Sequence, residues 1–199
     1  MTQTTLAILA GGEGSRMGRP KAELRIGDRP ILSYLLDRFR WDGPTILVTA
    51  PGRERPPGAE GFDREVSDPV TGEGPLRGVL TALEAANTDI LVVASCDMPM
   101  IEPRQLHWLA ERLTAEPAVT PVMLIKQGAT VEPLPLAIRR NTLDALRAHV
   151  KAGNRSLRSL AEIRGARIVA APEDWPATAW TNLNTPADLV AFLDQPGVS

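Results

Sequence analysis

The chain holds a single cysteine, Cys96, among its 199 residues. One thiol cannot build an internal disulfide framework or a cysteine-held metal cluster. Histidine is scarce too, with only His107 and His149 present. Both fall at helical positions without metal-ligand spacing, and they read as ordinary surface or half-buried residues. Long hydrophobic runs are absent. The run that opens at Leu6 is too short to span a bilayer, and small or acidic residues interrupt it at once. No basic stretch or cleavage site frames that run as a secretory signal, so the cytoplasm is the expected compartment. Positive charge is not in excess: 22 Lys and Arg stand against 24 Asp and Glu, a net charge of −2. A nucleic-acid partner held by bulk charge is therefore not expected. Nor is a membrane partner, and no internal repeat is visible.

What is present is ordinary globular material. Hydrophobic residues make up 43% and charged residues 23% of a length that suits one domain, read as 1–199. Apolar runs alternate with helical patterns. Strands are expected at Leu6–Ala10, Ile46–Val48, Ile90–Ala94, Val119–Ile125, Leu134–Ile138 and Ile168–Ala170. Helices are expected at 30–40, Leu76–Ala86, around Leu106, Leu109 and Leu113, at 141–150, at 155–163 and at Ala187–Leu193. That order predicts an α/β fold: a mostly parallel sheet with helices on both faces. Such sheets bind ligands beyond the carboxyl ends of their strands. The breaker-rich segment 51–61 is the expected mobile element.

The most informative stretch is Leu9-Ala10-Gly11-Gly12-Glu13-Gly14-Ser15-Arg16-Met17-Gly18-Arg19-Pro20-Lys21, directly after the first strand. Gly11, Gly12, Gly14 and Gly18 lack a Cβ, so backbone N–H groups can close around an anion. Arg16 and Lys21 add the positive charge that a triphosphate needs. The loop fails the Walker A template because its lysine comes two residues late and no Ser or Thr follows. It also exceeds the dinucleotide fingerprint by one residue.

A second motif, Ser95-Cys96-Asp97-Met98-Pro99, follows the expected strand at 90–94. A carboxylate there is well placed to hold Mg²⁺, which prefers oxygen ligands and phosphate. Asp97 is a poor helix cap, since Glu102 and Pro103 sit closer to the next helix. Cys96 reads as a small buried residue. Between the two motifs, Asp68 precedes Gly74-Pro75-Leu76-Arg77, which opens a helix whose free N–H groups favour an anion or a base edge. An Asx turn at Asp68 and a proline in the first helical turn explain the same residues equally well. Arg155 and Arg158 either clamp a phosphate or form a solvated basic face. Near the C-terminus, Thr185-Pro186 reads as an N-cap with Asp188 at the third helical position. Asn182 and Asn184 just before it have amides that can orient an acceptor phosphate or complete a metal shell.

Together these segments resemble the molybdenum cofactor guanylyltransferase family. Its loop reads Leu-Ala-Gly-Gly-x-x-x-Arg-Met-Gly-x-x-Lys, and it carries Cys-Asp-Met-Pro and Asn-x-Asn-Thr-Pro-x-Asp-Leu. Relatives acting on other acceptors or bases usually have Leu-Ala-Ala-Gly, so Gly11 points to the guanylyl branch. The resemblance implies a Rossmann-like sheet of the nucleotide-diphospho-sugar transferase type. It implies GMP transfer from GTP to the phosphate of molybdenum-bound molybdopterin, with Mg²⁺ on Asp97. Arg16, Lys21 and Asp97 are then catalytic. Leu9, Ala10, Gly11, Gly12, Gly14, Lys21, Asp68, Gly74 and Asp97 bind the nucleotide, and Arg155, Asn182 and Asn184 bind the acceptor. Accessory or cofactor-accepting proteins also fit the resemblance. Two departures stand out: Arg77 replaces the usual Ala, and Val48-Thr49-Ala50-Pro51 lacks the family's Asn. Thr49 or backbone groups would then serve the base. The alternatives are cytidylyl or sugar-phosphate nucleotidylyl transfer, or a nucleotide-binding homologue without catalysis.

Overall fold

The structure, a computed structural model, describes residues 4–12, 14 and 16–195; Glu13 and Ser15 of the glycine loop lie outside them. Strand β1 (Thr4–Leu9) is buried along nearly its whole length, with Leu6 to Leu9 apolar, as suits a strand covered on both faces. Beyond it come a short hairpin, β2 (Arg25–Ile26) and β3 (Arg29–Pro30), helix α1 (Ile31–Phe39) and strand β4 (Thr45–Thr49). Strand β5 (Arg64–Ser67), helix α2 (Pro75–Ala85), strand β6 (Ile90–Ser95) and helix α3 (Pro103–Ala115) follow. The chain continues through β7 (Val122–Gln127), β8 (Thr130–Arg139), α4 (Leu143–Lys151), β9 (Arg167–Ala170) and α5 (Pro186–Leu193).

The main sheet has seven strands in the order β5-β4-β1-β6-β8-β7-β9. Only β8 runs against its neighbours; the other pairings are parallel. Helix α2 packs on β1, β4 and β5 with α4 beside it, while α3 packs on β6 and β8 with α1 against it. The helices bury their apolar stripes in this way: α1 contributes Ile31, Leu32, Leu35 and Phe39, and α3 contributes Leu106, Leu109 and Leu113. The expected α/β sheet is therefore present. Among the described residues no helix is long and apolar enough to cross a membrane.

Three local expectations need correction. Residues 155–163 do not form an α-helix; the segment Leu157–Glu162 winds as a tighter 3₁₀ turn. The strand expected from Val119 begins at Val122, because residues 117–120 form a turn closed from Thr120 N–H to the Pro117 carbonyl. Segment 51–61 is not free along its length. Pro56, Gly58 and Ala59 are buried, and a Cβ on Gly58 would lie 2.6 Å from Ser33 Oγ on α1.

The topology explains where ligands belong. From β1 the chain runs outward through β4 and β5, then returns to β6 on the other side of β1. The carboxyl ends of β1 and β6 thus flank the point where strand order reverses, the expected crevice of such a sheet. Leu9 and Ser95 are register partners there, and Cys96 N–H donates to the Leu9 carbonyl at 3.0 Å.

Candidate active site

That register brings the two distant motifs side by side. The loop after β1 leaves toward Gly11 and Gly12, and the loop after β6 carries Asp97 two residues past Ser95. The glycine loop closes on itself through Met17 N–H donating to the Gly14 carbonyl at 2.8 Å. Lys21 opens a short 3₁₀ turn after Pro20, which returns its side chain to the sheet edge. Its ammonium Nζ donates to Asp97 Oδ2 at 2.5 Å and to Asn184 Oδ1 at 2.7 Å. The Lys21 and Asp97 side chains are only 16% and 13% exposed, so solvent screens the pair weakly.

Asn184 reaches this point because its segment is pinned at both ends. Leu183 N–H donates to the Asp97 carbonyl at 2.8 Å. Asp188 Oδ2 accepts the N–H groups of Asn184 and Thr185 at 2.9 and 2.8 Å, while Thr185 Oγ1 caps Asp188 N–H at 3.2 Å. The expected N-cap at Thr185 is thus also the support of Asn184. Those backbone donors hold the Asp188 carboxyl below the usual carboxylate range.

Beside the cluster lies a cleft of about 480 Å³. Leu9, Gly11, Gly12, Asp68, Gly74 and Ser95 line it, as do Ala50, Pro51 and Arg53 after β4 and Val70 and Thr71 after β5. Burial pushes the Asp68 carboxyl above its ordinary range, against the pull of Arg77, and Asp68 Oδ1 is buried without a hydrogen-bond partner. Gly74 is positioned by its neighbours: its φ is +76°, and a Cβ would lie 2.9 Å from the Arg155 carbonyl. Ala10 is buried and donates its N–H to the Val48 carbonyl, which fixes the loop's departure from the sheet.

The remaining expected residues fall elsewhere. Gly14 is not among the cleft residues; its φ is +60° and a Cβ would lie 2.0 Å from the Arg19 carbonyl, so its glycine closes the loop. Arg16 is exposed on the loop and makes no hydrogen bond or ion pair with Lys21, Asp97 or Asn184. Asn182 turns back, its amide donating to the Trp180 carbonyl at 3.4 Å. Arg155 donates to the Gly72 carbonyl at 2.7 Å and faces a second cavity between α2 and α4. Arg77 neither contacts the cleft nor points freely to solvent; it lies 3.5 Å from Glu84 and 3.9 Å from Glu73. Thr49 Oγ1 donates to the Val66 carbonyl at 3.4 Å and does not line the cleft. His149 bonds Ser159 and His107 stacks on Trp41, both structural uses. Burial, with the Asp97 charge beside it, pushes the Cys96 thiol far above its ordinary range, so it is no nucleophile. Arg53, Val70, Thr71 and Leu134 were not visible as cleft residues in the sequence; only the charge-and-breaker composition around Arg53 hinted at a functional loop.

Known proteins share this fold. The model of the MobA-like NTP transferase domain matches residues 6–169. A curated molybdenum cofactor guanylyltransferase of Shewanella loihica is 30% identical over 186 residues, covering 92% of this chain and 92% of its own length. The crystal structure of molybdopterin-guanine dinucleotide biosynthesis protein A from Archaeoglobus fulgidus superposes with a TM-score of 0.75 at 24% identity, covering 94% of this chain and 95% of that one. A Mycobacterium tuberculosis protein solved in complex with manganese superposes with a TM-score of 0.64 at 21% identity, covering 98% and 99% of the two chains. With a nucleotidyltransferase fold and a family match over most of its length, the chain belongs to the MobA-like NTP transferases and is a nucleotidyltransferase.

Proposed function

We propose that the enzyme transfers GMP from GTP to the phosphate of molybdenum-bound molybdopterin, giving the guanine dinucleotide cofactor and pyrophosphate. The observation that carries this reading is the meeting of Lys21, Asp97 and Asn184 beside a glycine-lined cleft. The names of its relatives support the choice of donor and acceptor.

An acceptor phosphate is anionic at neutral pH and needs no general base. One of its oxygens bonds to the α-phosphorus of GTP. The bond from that phosphorus to the β-phosphate bridging oxygen breaks, and pyrophosphate leaves with the electron pair. The difficulty is bringing two anions together. In this reading the N–H groups of Gly11 and Gly12 hold the donor phosphates, and the Lys21 ammonium meets the charge on the reacting phosphorus and the leaving group. Arg16 reaches the outer phosphates from its exposed place on the loop.

The residues also fit a divalent cation. Asp97 Oδ2 and Asn184 Oδ1 are two oxygens that already converge on one positive charge, that of Lys21. No group of three or more acidic, His or Cys side chains placed to hold a metal ion occurs among the described residues. A single carboxylate completed by substrate phosphates is how Mg²⁺ is commonly held. Asp97 would hold Mg²⁺ with Asn184 beside it, and the bound ion would supply neutralisation of the phosphate charges. In this reading Asn184 also serves to orient the acceptor phosphate. Asn182 and Arg155 join the acceptor side only by giving up their bonds to Trp180 and Gly72.

Cytidylyl transfer to the same acceptor is the second reading: the family's Asn after β4 is missing, and Thr49 does not line the cleft in its place. Pyrophosphate release with molybdenum-bound molybdopterin separates the two. GTP supports turnover in the first reading and CTP in the second.

A further inference from the structure

The lining of the cleft carries both signs of charge. Arg53, Asp68 and Glu73 are the charged residues among those that line it, and Arg53 is the single cation. Arg53 is exposed, one residue after Gly52, whose φ of +72° turns the chain back toward the cleft. Among the described residues Arg53 makes no ion pair, whereas Arg55 is held by Glu65 at 2.8 Å. Its guanidinium is thus available for a ligand. Thr49, the side chain at the end of β4, bonds to β5 instead. In the guanylyl reading Lys21 and the N–H groups of Gly11 and Gly12 serve the phosphates, which leaves Arg53 for the base.

Guanine presents two adjacent acceptors, O6 and N7, on one edge and two adjacent donors, N1–H and N2–H₂, on the next. Adenine and cytosine turn an amino donor toward any cation in that place, and uracil offers only O4 there. A guanidinium is a rigid fork of donors that matches a pair of acceptors. We propose that Arg53 selects the base, donating two N–H groups to O6 and N7 of guanine, with the unpartnered Asp68 Oδ1 left for its N1–H and N2–H₂ edge. This inference rests on the guanylyl reading above.

The test is calorimetry with Mg²⁺ and four nucleotides, GTP, 7-deaza-GTP, CTP and ATP, on the wild-type enzyme, Arg53→Ala and Arg53→Lys. Arg53 is exposed, so the variants are expected to melt like wild type. Wild type should bind GTP tightest and lose affinity for 7-deaza-GTP. Arg53→Ala should weaken GTP by about 10- to 100-fold, weaken 7-deaza-GTP less, and leave CTP and ATP within about twofold. Arg53→Lys should not restore the difference between GTP and 7-deaza-GTP, because an ammonium lacks the fork. Equal weakening of all four nucleotides in Arg53→Ala would place the guanidinium on phosphate and overturn the proposal, as would unchanged GTP affinity. A wild type that prefers CTP would overturn the guanylyl reading itself, and that result is seen before any variant is made.

Discussion

Lys21 Nζ lies 2.5 Å from Asp97 Oδ2, joining the end of the glycine loop to the loop after β6 across 76 positions of sequence. Asn184 accepts a second bond from the same ammonium at 2.7 Å. A positive charge therefore already occupies the point where the site's oxygens converge, and a second cation must compete with it. Replacing Lys21 by Met should raise the affinity of the nucleotide-free enzyme for Mn²⁺, read by electron paramagnetic resonance. Unchanged or weaker Mn²⁺ binding would mean that Asp97 and Asn184 do not form the cation site.

The same variant should be nearly inactive. A donor that meets developing charge contributes about 10²–10³-fold to the rate. Lys21→Met is expected to lower kcat by that order. A change confined to KM would give the lysine a role in ground-state binding alone.

Asp97 needs two substitutions to separate chemistry from stability. Asp97→Ala leaves the Lys21 ammonium largely buried with only Asn184 as partner, at a cost of about 3 kcal/mol. Asp97→Asn keeps an acceptor for the ammonium but removes its countercharge, so it should cost less than Asp97→Ala without matching wild type. Both should lose turnover. Denaturant titration beside pyrophosphate release checks the pair, and a fully active Asp97→Asn would remove the carboxylate from the mechanism.

Gly11 and Gly14 are glycines for different reasons. A Cβ on Gly11 would meet Ala50 N at 3.5 Å, an ordinary contact, so the protein alone accepts alanine there. Gly14 has φ +60° and no room beside the Arg19 carbonyl, and its displaced neighbours include the Lys21 backbone N at 3.3 Å. Gly11→Ala should keep its melting temperature and lose nucleotide affinity, since in the proposed reading the donor phosphates approach that backbone. Gly14→Ala should disturb the loop and lower kcat even at saturating nucleotide. Calorimetry and steady-state kinetics on the two variants test this contrast.

Much of this was legible in the sequence because it depends on order along the chain. The glycine loop and Asp97 each follow an apolar run, and the strand order of such a fold brings those run ends together. Side-chain direction in irregular segments was not legible. Nothing in Asn182-Leu183-Asn184 says which amide faces Lys21; the answer comes from Leu183 bonding to Asp97 and Asp188 bonding to Asn184. Strand β5 was missed because Arg64-Glu65-Val66-Ser67 is an edge strand with almost no buried face to create periodicity. Arg155 and the 72–76 turn meet through bonds to backbone groups, its guanidinium donating to the Gly72 carbonyl and its own carbonyl accepting from Leu76 N–H, which leave no compositional trace.

Acid should loosen the site through Asp188. Its carboxyl is held below the usual range by the N–H groups of Asn184 and Thr185. A lowered pKa in the folded state contributes stability above the unfolded value, and that contribution is lost as pH falls through the folded value. The cap that holds Asn184 should therefore persist at neutral pH and fail only below the ordinary carboxylate range. Asp188→Asn should show the loosened site at neutral pH, with lower kcat and a small drop in melting temperature. A variant with wild-type kcat would separate the cap from the placement of Asn184.

The central claim is that a nucleoside triphosphate and its divalent cation meet at Asp97, with the phosphates along Gly11 and Gly12. Anomalous scattering from crystals grown with GTP and Mn²⁺ tests it most directly. The ion should appear bound to the Asp97 carboxylate and to GTP phosphate oxygens, with Lys21 moved from Asp97 onto the phosphates. An ion bound away from Asp97, or GTP outside the cleft, would contradict it.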